Sequence, residues 1–321
     1  MSRLKNLREK SVIKKVNNKG RFIKPCPGTP NYVCCGYQII DFAHGCSLGC
    51  TYCILNYYFK NEPVIIFKNR KKLFDELEEF LEKREGITRF GTGEFTDSLL
   101  LEQALPLYNE LIPYISNNNK AVLELKTKTT NIEGILKIKE HQNTILSWSV
   151  NSIYAAQKEE RYAPNIDARI DAAFRVQESG YKLAFHFDPI IIHENWEAEY
   201  RKTIDLIFKK VNPENIVYIS MGTLRFIPEM KHLLEKMVTG YRGGEFIKGS
   251  DNKMRYFRPL RTLVYQKIKT FLKNYVDENV IYMCMENPTV WEDVFYISHM
   301  TSKKLITRLD NACLNKFDII P

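Results

Sequence analysis

The feature that most limits what this chain can fold into is a long alternation of short apolar runs and amphipathic stretches. Apolar runs lie at 37–43, 87–90, 121–126, 144–150, 182–188 and 215–220. Between them, patterns at 73–81, 98–112, 131–139, 166–179 and 196–209 predict helices. In the first of these, Leu73, Phe74, Leu77, Phe80 and Leu81 fall on one helical stripe with acids opposite. Six β/α units in series predict an α/β fold with a parallel sheet and helices outside it. Such repetition curls a sheet into a full or partial barrel, and right-handed crossovers permit the closure. The expected architecture is a partial (β/α)6 TIM-type barrel over 37–225. A basic arm and Cys-rich loop precede it at 1–36, and a C-terminal α/β extension follows at 226–321.

Barrels of this kind place their chemistry where the strands end. Here those ends carry a cysteine loop, GTGEFTD, KTKTT, Ser149–Asn151, DPIIIHENW and MGTLRF, most of them polar or Gly-rich, as site-forming loops are. On the fifth run, His186 and Asp188 alternate with Phe185 and Phe187, so at least one polar side chain is expected to point into the barrel. His193 and Glu194 are expected to open the next helix. Trp196, Tyr200, Ile204, Ile207 and Phe208 form that helix's core stripe.

Six of the eight cysteines fall between positions 26 and 53, a density that points to a metal or redox centre. Cys46, Cys50 and Cys53 have the spacing CxxxCxxC directly after the first run. Three thiolates from one loop hold three irons of a cubane [4Fe-4S] cluster and leave the fourth iron open, unlike the four-thiolate pattern of electron carriers. The alternative is a zinc loop, although zinc favours four closed ligands at CxxC-type spacing. Cys26, Cys34 and Cys35, with Cys284 or Cys313, could bind an auxiliary cluster, act in thiol chemistry, or line the barrel's plug.

The net charge is +9, but residues 1–24 carry nine Lys/Arg against one Glu, so the rest of the chain is close to neutral. A second basic run at 241–270 has eight Lys/Arg against two acids, interleaved with aromatics. That mixture suits phosphate contacts with base stacking, or equally a solvated helix with its aromatics in the core. No apolar run approaches a membrane span and the basic N-terminus has no signal-peptide pattern, so a cytoplasmic protein is expected.

The stretches FAHGCSLGCTYCILN, TRFGTGEFTDS, TKTTNIEGIL, WSVNSIY, GYKLAFHFDPIIIHENW and MRYFRPLRTLVYQK carry a family resemblance. The triad and its position resemble the radical S-adenosylmethionine (SAM) superfamily. Within it, residues 42–266 resemble the spore photoproduct lyase family. The resemblance implies a barrel of radical SAM type, a [4Fe-4S] cluster on Cys46, Cys50 and Cys53, and SAM as cofactor. It also implies SAM-binding roles for Gly91, Gly93, Glu94, Lys128, Ser149 and Asn151, and reacting-site roles for Tyr52 and Asp188. It further implies a nucleic-acid substrate, an electron donor of reductase, flavodoxin or ferredoxin type, and a monomer. Two departures stand out. Glu94 occupies the position of the family's hydrogen-donating cysteine, and Ile54 follows the third cluster cysteine where the family has a tyrosine. A radical enzyme acting on a peptide or small metabolite, and a non-enzymatic iron–sulfur nucleic-acid-binding protein, remain alternatives at this stage.

Overall fold

The six apolar runs form strands in the computed structural model, which describes residues 12–29, 31–60, 62–237, 245–317 and 319. In order they are Gln38–Ile40, Thr88–Gly91, Ala121–Thr127, Thr144–Ser149, Lys182–Ile190 and Ile216–Thr223. Each pairs in parallel with the next. Two strands from the flanking segments join them. Ile23–Pro25 pairs antiparallel with the first strand, and Ile281–Met283 pairs parallel with the sixth. The eight-stranded sheet keeps these two as unpaired outer edges, so it is a half-barrel rather than a closed one.

Strand parity decides what the interior offers. On the third strand Leu123 and Leu125 are fully buried beneath the helices, whereas Glu124 and Lys126 project into the barrel cavity. On the fifth, Phe185 and Phe187 are fully buried, and His186 and Asp188 face the same cavity.

Helices Arg70–Glu82, Ile166–Glu178 and Trp196–Lys210 match the expected stripes, burying Leu73, Leu77 and Leu81 in the first. Asn165 caps the second by accepting a hydrogen bond from Ala168 N at 2.9 Å. Two other stretches fold differently. Residues 98–104 form turns, opened by Asp97 accepting from Leu99 N and Leu100 N at 3.1 Å. The helix starts only at Tyr108, because Pro106 disfavours helical backbone at the residue before it. The stretch 131–139 contains a single 3-10 turn, Ile135–Lys137, with Ile132 and Ile135 fully buried. A helix not foreseen, Ile153–Glu159, is capped by Ser152. Asn195 takes a left-handed conformation (φ 58°), and the helix begins at Trp196, so His193 and Glu194 precede it instead of opening it.

Two small sheets flank the half-barrel. Ile13–Val16 and Ala43–His44 pair with either side of Val64–Phe67, tying part of the basic arm to the barrel. The other sheet joins Arg225–Phe226, Met254–Tyr256 and Phe246–Lys248, and helix Arg258–Leu272 follows it. Part of the second basic run therefore packs inward: Arg255, Tyr256, Arg261, Tyr265 and Lys269 are buried, whereas Lys248, Phe257 and Arg258 are exposed. Residues 1–11 of the arm and 241–244 of this run lie outside the described residues. Among the described residues no helix is long and apolar enough to cross a membrane.

Candidate active site at the mouth of the half-barrel

The cysteine triad sits on the loop that leaves the first barrel strand, and residues 159–162 clamp that loop. Thr51 N donates to Glu159 O at 2.9 Å, Tyr162 N donates to Leu48 O at 3.2 Å, and Cys50 forms a β-bridge with Glu160. Gly49 takes φ +65°, a left-handed turn that an L side chain resists. Inside the loop, Asn56 Nδ2 holds the Cys50 carbonyl at 2.7 Å. Beneath it lies a buried ion pair: Arg169 Nη2 meets Glu160 Oε2 at 2.6 Å, and both side chains are 1% exposed. Tyr52 also donates its hydroxyl to Glu160.

The donor set fits an iron–sulfur cluster. Burial pushes the Cys46 thiol up to about 12 and the Cys50 thiol well above its ordinary value, and the nearby Lys128 ammonium pulls both back. Bound metal drives such thiols to thiolates. Among the described residues no three His, Cys, Asp or Glu side chains converge on a single metal ion. A cubane does not ask for that convergence, since each thiolate takes its own iron. The Thr96 hydroxyl on the neighbouring GTGEFTD loop is buried and has no hydrogen-bond partner among the described residues.

Cys53 opens onto a cavity of about 280 Å³ that Tyr52, Ile54, Tyr58 and Phe226 also line. That cavity shares Cys26, Glu94, Asp188, Arg225 and Met285 with a deeper one of about 120 Å³ inside the barrel. Together they reach the size of an ordinary ligand site, roughly 300–1,000 Å³. Their walls are lined with paired charges. Asp188 holds Arg225 through two contacts of 2.9 and 3.0 Å. Glu94 pairs with Lys126 at 3.1 Å and accepts the Tyr37 hydroxyl. Glu124 accepts from Tyr218 at 2.7 Å and faces His186, whose other ring nitrogen lies 2.6 Å from Ser220 Oγ. Burial raises the Glu94, Glu124 and Asp188 carboxyls, but these cationic and hydrogen-bonding partners outweigh it and hold all three low, Glu124 at about 2.

Of the residues singled out in the sequence, Gly91, Gly93, Glu94, Ser149 and Asp188 line the cavities, as do Tyr52 and Cys53. The glycines admit close approach by the protein's own side chains. A Cβ at Gly91 would meet the Tyr37 ring at 2.6 Å, and one at Gly93 would meet Lys126 Cβ at 3.0 Å. Lys128 instead lies over Tyr52, its Nζ 6.0 Å from the ring centroid. Asn151 is buried and engaged with Tyr200, Ser152 N and Pro189 O. His193 bonds Ser152 Oγ at 2.7 Å. Sequence reasoning missed Lys126, Glu124 and Arg225. The first two share the inward parity of their strand, a signal present in the alternation of AVLELKT.

The profile of the family described as Spore photoproduct lyase matches residues 33–279. The chain belongs to the spore photoproduct lyase family. The spore photoproduct lyase of Clostridium acetobutylicum is 26% identical over 203 residues, which is 63% of this chain and 60% of that protein. That of Bacillus subtilis is 27% identical over 205 residues, 61% of this chain and 59% of that one. The chain thus matches about three-fifths of the length of these curated relatives. A mutant spore photoproduct lyase solved with bound AdoMet and dinucleoside spore photoproduct superposes with a TM-score of 0.75 at 20% identity, covering 87% of this chain and 83% of that one. At that identity the likeness concerns the fold, and it places the half-barrel within the architecture of this family.

Proposed function

We propose that this member of the spore photoproduct lyase family is a radical SAM enzyme acting on a nucleic acid, with a lyase-type repair or modification reaction. The observation that carries the reading is Cys53 of the clamped triad opening onto a cavity continuous with the half-barrel interior. Its solved relative with AdoMet and dinucleoside spore photoproduct supports the same reading. Cys46, Cys50 and Cys53 would hold a [4Fe-4S] cluster. When bound, the cluster supplies the electron that splits SAM into methionine and a 5′-deoxyadenosyl radical.

The chain's own residues bind and enclose. Glu94, set by Gly91 and Gly93, offers a carboxylate to the SAM ammonium, and Lys126 beside it offers a cation to the carboxylate. Ser149 offers a hydroxyl from the cavity wall. Lys128 balances charge at the cluster, and Asn151 positions the strand end through Tyr200. Asp188 and Tyr52 stand at the junction where a substrate would meet the radical, with Arg225 keeping Asp188 ionised. Exposed Tyr57, Tyr58 and Tyr162 offer stacking faces around the mouth.

An external flavodoxin, ferredoxin or reductase would deliver the electron. The reading includes a monomer in the cytoplasm, with the barrel core at 37–225 between the arm and the C-terminal extension. The test is anaerobic reconstitution followed by DNA and RNA binding across a salt series. Binding that weakens steeply with salt, with 5′-deoxyadenosine formation stimulated by lesion-bearing nucleic acid, is expected. Salt-insensitive or absent binding, with stimulation by a metabolite extract instead, contradicts the nucleic-acid assignment.

A further inference from the structure

Two cysteines outside the triad meet in the deeper cavity. Cys35 lies at the end of the Cys-rich loop and Cys284 just beyond the last barrel strand, 249 positions apart in the sequence. A β-bridge between Val33 and Glu286, with Val33 N donating to Glu286 O at 2.9 Å, brings the two segments together. Cys284 N is fixed by Met221 O at 2.9 Å, and the Cys35 carbonyl accepts from the buried Arg89 guanidinium. Both side chains line the same cavity of about 120 Å³, and the antiparallel bridge two residues away from each brings their segments side by side.

We infer that Cys35 and Cys284 form a redox site, a dithiol that closes reversibly to a disulfide across the cavity wall. The pair already has the two forms that exchange requires. The Cys284 hydrogen bond, with Arg89 adding its charge, brings the Cys35 thiol down to about 7, while the same hydrogen bond and burial keep Cys284 protonated. Cys26 lines the same cavity, but burial and the Glu94 carboxylate hold its thiol high, so it stays outside the exchange.

The co-reactant is a low-molecular-weight disulfide. The Cys35 thiolate attacks one of its sulfurs, forming a mixed disulfide and releasing one small thiolate. Cys284 passes its proton to that thiolate and attacks Cys35 Sγ, expelling the second small thiolate, which takes up from solvent the proton that Cys35 had released. One S–S bond forms and one breaks; the protein loses two electrons and the small disulfide gains them. In the reduced form Cys284 keeps an S–H in the cavity beside the Cys35 sulfur, and in the disulfide form neither sulfur carries a hydrogen. The consequence for a carbon radical held there rests on the function proposed above, whereas the redox site itself does not.

The test uses the full chain with its cluster reconstituted, so that the triad is occupied. The protein is equilibrated anaerobically in cystamine/cysteamine buffers of increasing oxidation, alkylated, and mapped by mass spectrometry without reduction. The expected result is a peptide pair linking Cys35 to Cys284, a loss of two hydrogens per chain, and full reversal by dithiothreitol. Cys284→Ser should instead trap cysteamine on Cys35. Both thiols remaining fully alkylated in the most oxidising buffer would overturn the inference, as would linkage of Cys35 to Cys26 or Cys34. No SAM is present, so the outcome is separate from that of the radical chemistry.

Discussion

Replacing Arg169 with Met should expose how much the cysteine loop depends on the ion pair beneath it. Arg169 spends Nε on Pro164 O at 2.8 Å, Nη1 on Ser149 O at 3.0 Å and Nη2 on Glu160 at 2.6 Å. The substitution leaves Glu160 1% exposed, without its buried guanidinium partner and supported by the Lys128 charge and the Tyr52 hydroxyl. Removing one partner of a buried pair costs about 3–5 kcal/mol, most of it the stranded charge. An unfolding entropy of about 2.1 cal/mol/K per residue, over a chain of this length, converts that to a Tm drop of roughly 4–8 °C. Adding Glu160→Gln removes the stranded charge. The double variant should therefore lose less than the two single losses combined, with a coupling of at least about 1 kcal/mol. The assay is anaerobic thermal unfolding of the four proteins of the cycle, with iron content measured on each. A Tm drop below about 2 °C for Arg169→Met, or additivity within about 0.5 kcal/mol, would refute the reasoning.

The acid side of the stability curve should report Glu124. Its folded carboxyl sits at about 2, below the ordinary 4.5, so it adds stability at higher pH that is lost as pH falls from about 4.5 toward 2. Glu124→Gln should flatten that window in a urea-unfolding series against pH; an unchanged slope would show that His186 does not hold the carboxylate. At Gly91, an alanine Cβ would press on the Tyr37 ring, and overpacking of that kind costs about 1–3 kcal/mol. Gly20→Ala, whose nearest neighbour is 3.4 Å away, should stay within about 0.5 kcal/mol of the parent in the same denaturant assay.

Where a segment's own pattern decided its fate, the sequence was informative. Leu73, Leu77 and Leu81 recur at helical spacing, and the helix Arg70–Glu82 buries all three. The stretch 98–112 is richer in leucine, but Asp97 diverts its first amides into turns and Pro106 delays the helix to Tyr108. Likewise the flanking strands Ile23–Pro25 and Ile281–Met283 are only three residues long and form because the sheet's edges lie beside them. Tertiary pairing of this sort leaves little local signature.

The candidate site divides in the same way. The triad was legible because three ligands on one loop are a local pattern. KTKTT offered two lysines of the same parity as Glu124, and the end of the strand at Thr127 separates Lys126, in the cavity, from Lys128, beside the cluster loop. Arg225 was beyond reach, and Cys284 was named only as one candidate partner beside Cys313, since Asp188 and Cys35 come from distant strands and loops brought together by the curl of the sheet.

The central claim is tested most directly by reconstituting the chain anaerobically, counting iron and sulfide, and reducing it in the presence of SAM. The account predicts about four irons and four sulfides per chain, release of methionine and 5′-deoxyadenosine in equal amounts, and loss of both cluster and cleavage in Cys50→Ala. A stably bound zinc ion in place of the cluster, or intact SAM after reduction of a fully loaded protein, would contradict it.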